Sequence, residues 1–149
     1  MAHEERNAWA ALIASIFVFV YFGGHIWSTT AGGGYAGTAG LSLWAWDVIW
    51  FILGGIAAVI VSVIAFNVLY AIITRSPNPG FLTDERDMAI TRTGTLITLG
   101  ITSAGFIGAV ILLAMGWGAI AGFNTILIGM ALGAFASDIY RVAVYRLGL

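Results

Sequence analysis

Four long apolar stretches, at about residues 8–27, 43–73, 84–117 and 123–145, take up most of a chain of 149 residues. A bilayer core about 30 Å thick needs roughly 20 apolar residues per helical crossing, so each stretch is long enough to span one. Lipid offers no partner to a backbone N–H or C=O, and a segment crossing it must satisfy those groups internally, as a helix does. A water-soluble fold fails on charge: 9% of residues are charged and 60% hydrophobic, whereas soluble domains carry about 25% charged residues. The expected architecture is all-α, an integral membrane four-helix bundle forming a single transmembrane domain over residues 1–149.

The first stretch is too aromatic for the core of a signal peptide, and no basic segment precedes it, so it reads as a retained helix. Beyond it Gly32, Gly34 and Gly37 spell G-x-G-x-x-G. That fingerprint grips a dinucleotide only between a strand and a helix; after a membrane helix it reads as a flexible loop. The second helix stops at Thr74-Arg75-Ser76-Pro77-Asn78-Pro79-Gly80, because proline lacks the N–H that a helix interior requires. Thr83 or Asp84 can cap the next helix, and Asp84, Glu85 and Asp87 suit its positive end. A short uncharged turn near 116–122 makes the last two helices an antiparallel hairpin.

The arginines give the expected orientation. Arg6 precedes the first helix, Arg75, Arg86 and Arg92 lie between the second and third, and Arg141 and Arg146 close the chain. The positive-inside rule then predicts cytoplasmic N and C termini and a cytoplasmic central loop. Trp27, Trp44, Trp46, Trp50 and Trp117 gather at the opposite interface, and Tyr70, Tyr140 and Tyr145 at the inner one, as aromatic belts do.

With no cysteine, disulfides and thiolate metal sites are excluded. A net charge of −1 provides no basic field for nucleic acid. Ionisable groups within a membrane are costly and mark function by default, yet all seven acids fall near helix ends or in the central loop. His25 could ligate a haem or chlorin, with Met115 as a second ligand, but the residues fit an interfacial hydrogen-bonding histidine at least as well. The expectation is no cofactor. His25, Ser28 and Asp47 share the residue types of a serine triad, an arrangement recognised by geometry rather than by composition. Asp138 and Arg141, spaced i and i+3, can pair on one helical face. Alternatively they form a cytoplasmic docking site with Asp84, Glu85, Arg86 and Asp87.

Small residues recur at every fourth position: Gly54, Ala58 and Ser62; Gly100, Ala104 and Gly108; Gly129, Gly133 and Ser137. Lipid supplies little hydrophobic drive between helices, so such stripes let backbones approach, either within the bundle or against another subunit. Partners expected on this reading are the lipid bilayer and other membrane subunits or a second copy. The leading functional expectation is a non-enzymatic accessory or scaffold subunit. The alternative is a small oligomeric transporter or channel lined by Asn67, Thr95, Thr98, Thr102 and Ser103.

Several short motifs resemble a family of small bacterial four-helix membrane proteins grouped as a domain of unknown function. They are Glu4-Glu5-Arg6 with Ala8-Trp9, then Thr83-Asp84-Glu85-Arg86-Asp87, Asn124, Asp138-x-x-Arg141 and Tyr145-Arg146-x-Gly148. The chain departs from that family at Ala89, Thr91 and Thr93, where more basic residues are usual, and at Asp138, where Glu is usual. The resemblance implies four helices in a bacterial inner membrane and implies no activity.

Overall fold

The structure, a computed structural model, describes residues 3–75 and 85–148, and among these it contains helices and turns but no strand. The proline turn and the Thr83–Asp84 helix start lie outside the described residues. Helix α1 (His3–Val18) runs through one π-helical turn (Phe19–Gly23) into α2 (Gly24–Ala31). Then follow α3 (Gly40–Thr74), α4 (Glu85–Ala114) and α5 (Ala119–Leu147). Four helical spans, Glu4–Ala31, Gly40–Thr74, Glu85–Ala114 and Ala119–Leu147, are long and apolar enough to cross a membrane. The first extends beyond the expected 8–27 at both ends, because Glu4 and Glu5 suit a helix start and no glycine with positive φ intervenes before Gly33.

The helices adjoin in the order α3, α1, α5, α4, with the most extensive contact in the α4–α5 hairpin. Its turn is a Schellman motif: Gly116 adopts φ +85°, its N–H donates to Leu113, and the Trp117 N–H reaches the Leu112 carbonyl. Only glycine takes that φ without strain.

The interior is built from small residues. Ala8, Ala10, Ala14, Ala109, Gly129 and Gly133 are buried, while among the described residues no large side chain is fully enclosed. Most large apolar side chains point outward, as lipid permits and water would not, with Ile26, Tyr35 and Ile90 among the buried exceptions. At the centre of the hairpin Gly105 faces Gly129 so closely that a Cβ on either would lie 2.8 Å from the other's Cα. One turn on, Gly133 lies under the Thr98 carbonyl, and further along Gly94 meets Ser137 and Arg141. On the other flank Gly54 accepts the Phe22 ring and Val18 touches the Gly55 position.

The expected stripes therefore divide. Gly129, Gly133 and Ser137 are buried within the hairpin seam. Gly100 and Ala104 are exposed, and a Cβ at Gly100 would meet nothing within 4 Å. Gly108 lies at the seam's edge, beside Thr125. The seam on α4 runs through Gly94, Thr98, Gly105 and Ala109 instead. The α4 stripe begins off this face, at exposed Gly100, whereas the α5 stripe lies on it.

Candidate functional site

Polar side chains gather at the two ends of the bundle, and all six arginines lie toward the end that holds the chain termini. There Arg6, only 3% exposed, donates from Nε and Nη2 to Asn67 Oδ1 at 3.3 and 3.2 Å. Its guanidinium also stacks 4.2 Å from the Tyr70 ring centre. Asn67 in turn donates to Asn7 Oδ1 at 3.2 Å and to the Val63 carbonyl at 2.8 Å. This bracket fastens the start of α1 to the end of α3. Arg146 pairs with Glu5 at 3.6 Å and lies over the Trp9 ring.

The expected docking site is only partly a surface. Asp84 lies outside the described residues, and Glu85 and Arg86 are exposed. Asp87 is 8% exposed and accepts the Tyr145 hydroxyl at 2.8 Å, which ties α4 to α5. Asp138 is also linked to another helix, Ser15 Oγ donating to its Oδ2 at 2.5 Å, while the Arg141 charge acts on the same carboxyl. Arg141 lies across Gly94, where the missing side chain leaves room for it.

Asp138 also sits deeper than a residue at a helix end. It is nine positions before Leu147, the last residue of α5, a depth of roughly 14 Å at about 1.5 Å per residue.

At the loop end, Asp47 Oδ2 accepts the Tyr35 hydroxyl at 2.6 Å and lies 3.5 Å from His25 Nε2. Tyr35 is held in place by backbone packing: a Cβ at Gly40 would overlap the Tyr35 carbonyl, so only glycine fits there. Burial, and then the Asp47 hydrogen bond and charge, push the Tyr35 hydroxyl up to about 12. Nearby Asn124 donates to Thr30 Oγ1 at 3.0 Å and accepts Trp44 Nε1 at 2.7 Å. One amide thus joins α2, α3 and α5. Trp44 also stacks on Phe123 with ring centres 5.3 Å apart.

This geometry brings His25 and Asp47 together but leaves out the third triad member. Ser28 Oγ donates to the His25 carbonyl rather than to its imidazole. Met115 stands at the α4–α5 turn, 68% exposed, and α5 separates α4 from the helix that carries His25. Among the described residues no group of three or more His, Cys, Asp or Glu could hold a metal ion.

Of the residues expected to line a transport route, Thr98 and Thr102 lie together against Gly133 and the others lie elsewhere. Asn67 belongs to the α1–α3 bracket, Thr98 bonds the Gly133 carbonyl inside the hairpin, and Thr95 and Ser103 are exposed. Sequence reasoning alone does not single out Ser15 or Tyr35. A hydroxyl inside an apolar run is the signal that could have found Ser15, since such a group seeks a partner helix.

No protein-family model, curated protein or solved structure matches this chain.

Proposed function

We propose that the protein is a non-enzymatic accessory or scaffold subunit that packs against other membrane helices or against a second copy of itself. The observation that supports this is the outward face of α4. Gly100 and Ala104 are exposed there between Leu96 and Ile107, and among the described residues nothing lies within 4 Å of a Cβ at Gly100. Gly129, Gly133 and Ser137 are already buried in the α4–α5 seam and Gly54 packs against Phe22, so this pair is a surplus that close approach by a further helix would use.

The proposed setting is a bacterial inner membrane with both termini in the cytoplasm, on the strength of the arginines at the terminal end. The chain has no cysteine, so Ala104→Cys is a single reporter for cross-linking in native membranes. The proposal expects a cross-link to a second copy or to a defined partner, and expects that product to disappear when Gly100→Leu is added to Ala104→Cys. A monomer with no recovered partner refutes it.

A transport role rests on one observation, the Asp138 carboxyl held by Ser15 inside the α5 span. Carboxyls at membrane depth serve ion pathways. Flux through proteoliposomes that disappears in Asp138→Asn would favour that reading, and silence across protons and small cations would remove it.

A further inference from the structure

We propose that the pocket between α2 and α3 at the loop end binds an organic ammonium group, supplied by a lipid headgroup or by a free amine. The pocket, of about 380 Å³, is walled by Tyr21, Phe22 and Trp50, with His25, Ser28 and Asp47 as its polar members. Gly24 leaves one wall without a side chain where the first span emerges from its π-helical turn.

Charge selects the class of ligand. Asp47 is the one charged residue in the sequence between Arg6 and Arg75, and none lies between Arg92 and Asp138. No arginine therefore balances its carboxylate at this end, and His25 Nε2 lies 3.5 Å from its Oδ2. The side chain is 29% exposed, and its contacts with Tyr35 and His25 both fall on Oδ2. Oδ1 carries no hydrogen bond among the described residues. A partly desolvated anion of this kind favours a cation beside it.

The walls select the kind of cation. Aromatic faces attract ammonium groups through their quadrupoles and shed water in doing so, the arrangement used for quaternary ammonium recognition. A bare divalent metal would need more oxygen ligands than one carboxylate provides. Asp47 is seven positions into α3, which places the pocket at the tryptophan belt, where headgroups lie.

The test uses the full chain purified in dodecyl maltoside. Nanodiscs of phosphatidylethanolamine and phosphatidylglycerol supply the lipid source, with retained lipid read by native mass spectrometry. Free ethanolamine titrated calorimetrically supplies the other. Selective retention of phosphatidylethanolamine that free ethanolamine does not displace assigns the site to a headgroup; heat from ethanolamine alone assigns it to a soluble amine.

In either case Asp47→Asn should weaken binding about tenfold or more. Trp50→Leu should weaken it about threefold. Trp50 is exposed and leaves the Asp47 hydrogen bond intact, so it carries the test if Asp47→Asn does not fold. Equal retention of both lipids with no ethanolamine heat overturns the proposal, as does unchanged binding in the variants.

Discussion

Ser15 on α1 and Asp138 on α5 meet inside the bundle, the serine hydroxyl donating to the carboxylate at 2.5 Å. The bond joins two neighbouring helices at half-buried positions within spans apolar enough to cross a membrane, so each group serves as the other's partner.

Removing the donor should loosen the α1–α5 contact. Ser15→Ala is expected to lower stability by about 0.6–1.7 kcal/mol, the range for interhelical hydrogen bonds in membranes. Ser15→Thr should restore most of it. Reversible unfolding in mixed detergent micelles measures both, and an unchanged midpoint for the alanine variant would show that the bond contributes nothing.

The two glycine classes on the hairpin should respond in opposite ways. Gly129→Val places carbon against the Gly105 backbone, where neither chain can yield, and should cost about 1–3 kcal/mol. Gly100→Val meets open space and should leave the monomer's stability unchanged while abolishing the proposed helix contact. Thermal unfolding and membrane cross-linking separate the two effects. A destabilised Gly100 variant with normal cross-linking would contradict the assignment.

Asn124→Ala should uncouple three elements at once. It strands the Trp44 indole N–H and frees Thr30, for an expected loss of about 1–2 kcal/mol over two interhelical bonds. Faster amide hydrogen exchange in α2 and the first turns of α3, with the terminal end unaffected, is the expected signature.

The Tyr35 hydroxyl predicts an alkaline limit. Its pKa stands at about 12 in the folded chain against 10.0 for an ordinary tyrosine, so the folded state holds this proton more tightly than the unfolded state. The associated stabilisation is complete below the unfolded value and declines as pH rises through the folded one. In tyrosinate absorbance titrations Tyr35→Phe should remove one late step among the five tyrosines. Identical curves would contradict the buried contact with Asp47.

Much of the architecture was legible in the sequence. The four spans follow from hydropathy, and the α4–α5 hairpin from the short turn with Gly116. The collection of Arg6, Arg75, Arg86, Arg92, Arg141 and Arg146 at one end follows from four spans crossing in alternate directions. Polar residues such as Asn67 and Asn124 could be seen to need partners, though the partners on other helices lie 60 or more positions away in no readable pattern. Asn67 meets Asn7, Ser15 meets Asp138, and Asn124 meets Thr30 and Trp44.

What a span is depends on its own residues, because transfer of a segment into lipid is set by its composition and length. Which way a span faces depends on its neighbours. Gly100 and Gly105 are the same residue on the same helix, yet one faces open space and the other a second backbone. Among lipid tails as apolar as leucine, no hydrophobic force chooses between those rotations. The sequence alone thus determined four helices and the gathering of the arginines at one end of them. The tertiary structure decided their order, α3, α1, α5, α4, and the pairings of Ser15 with Asp138 and Tyr35 with Asp47. Those depend on backbone approach and on hydrogen bonds between helices, which exist only once the helices are packed.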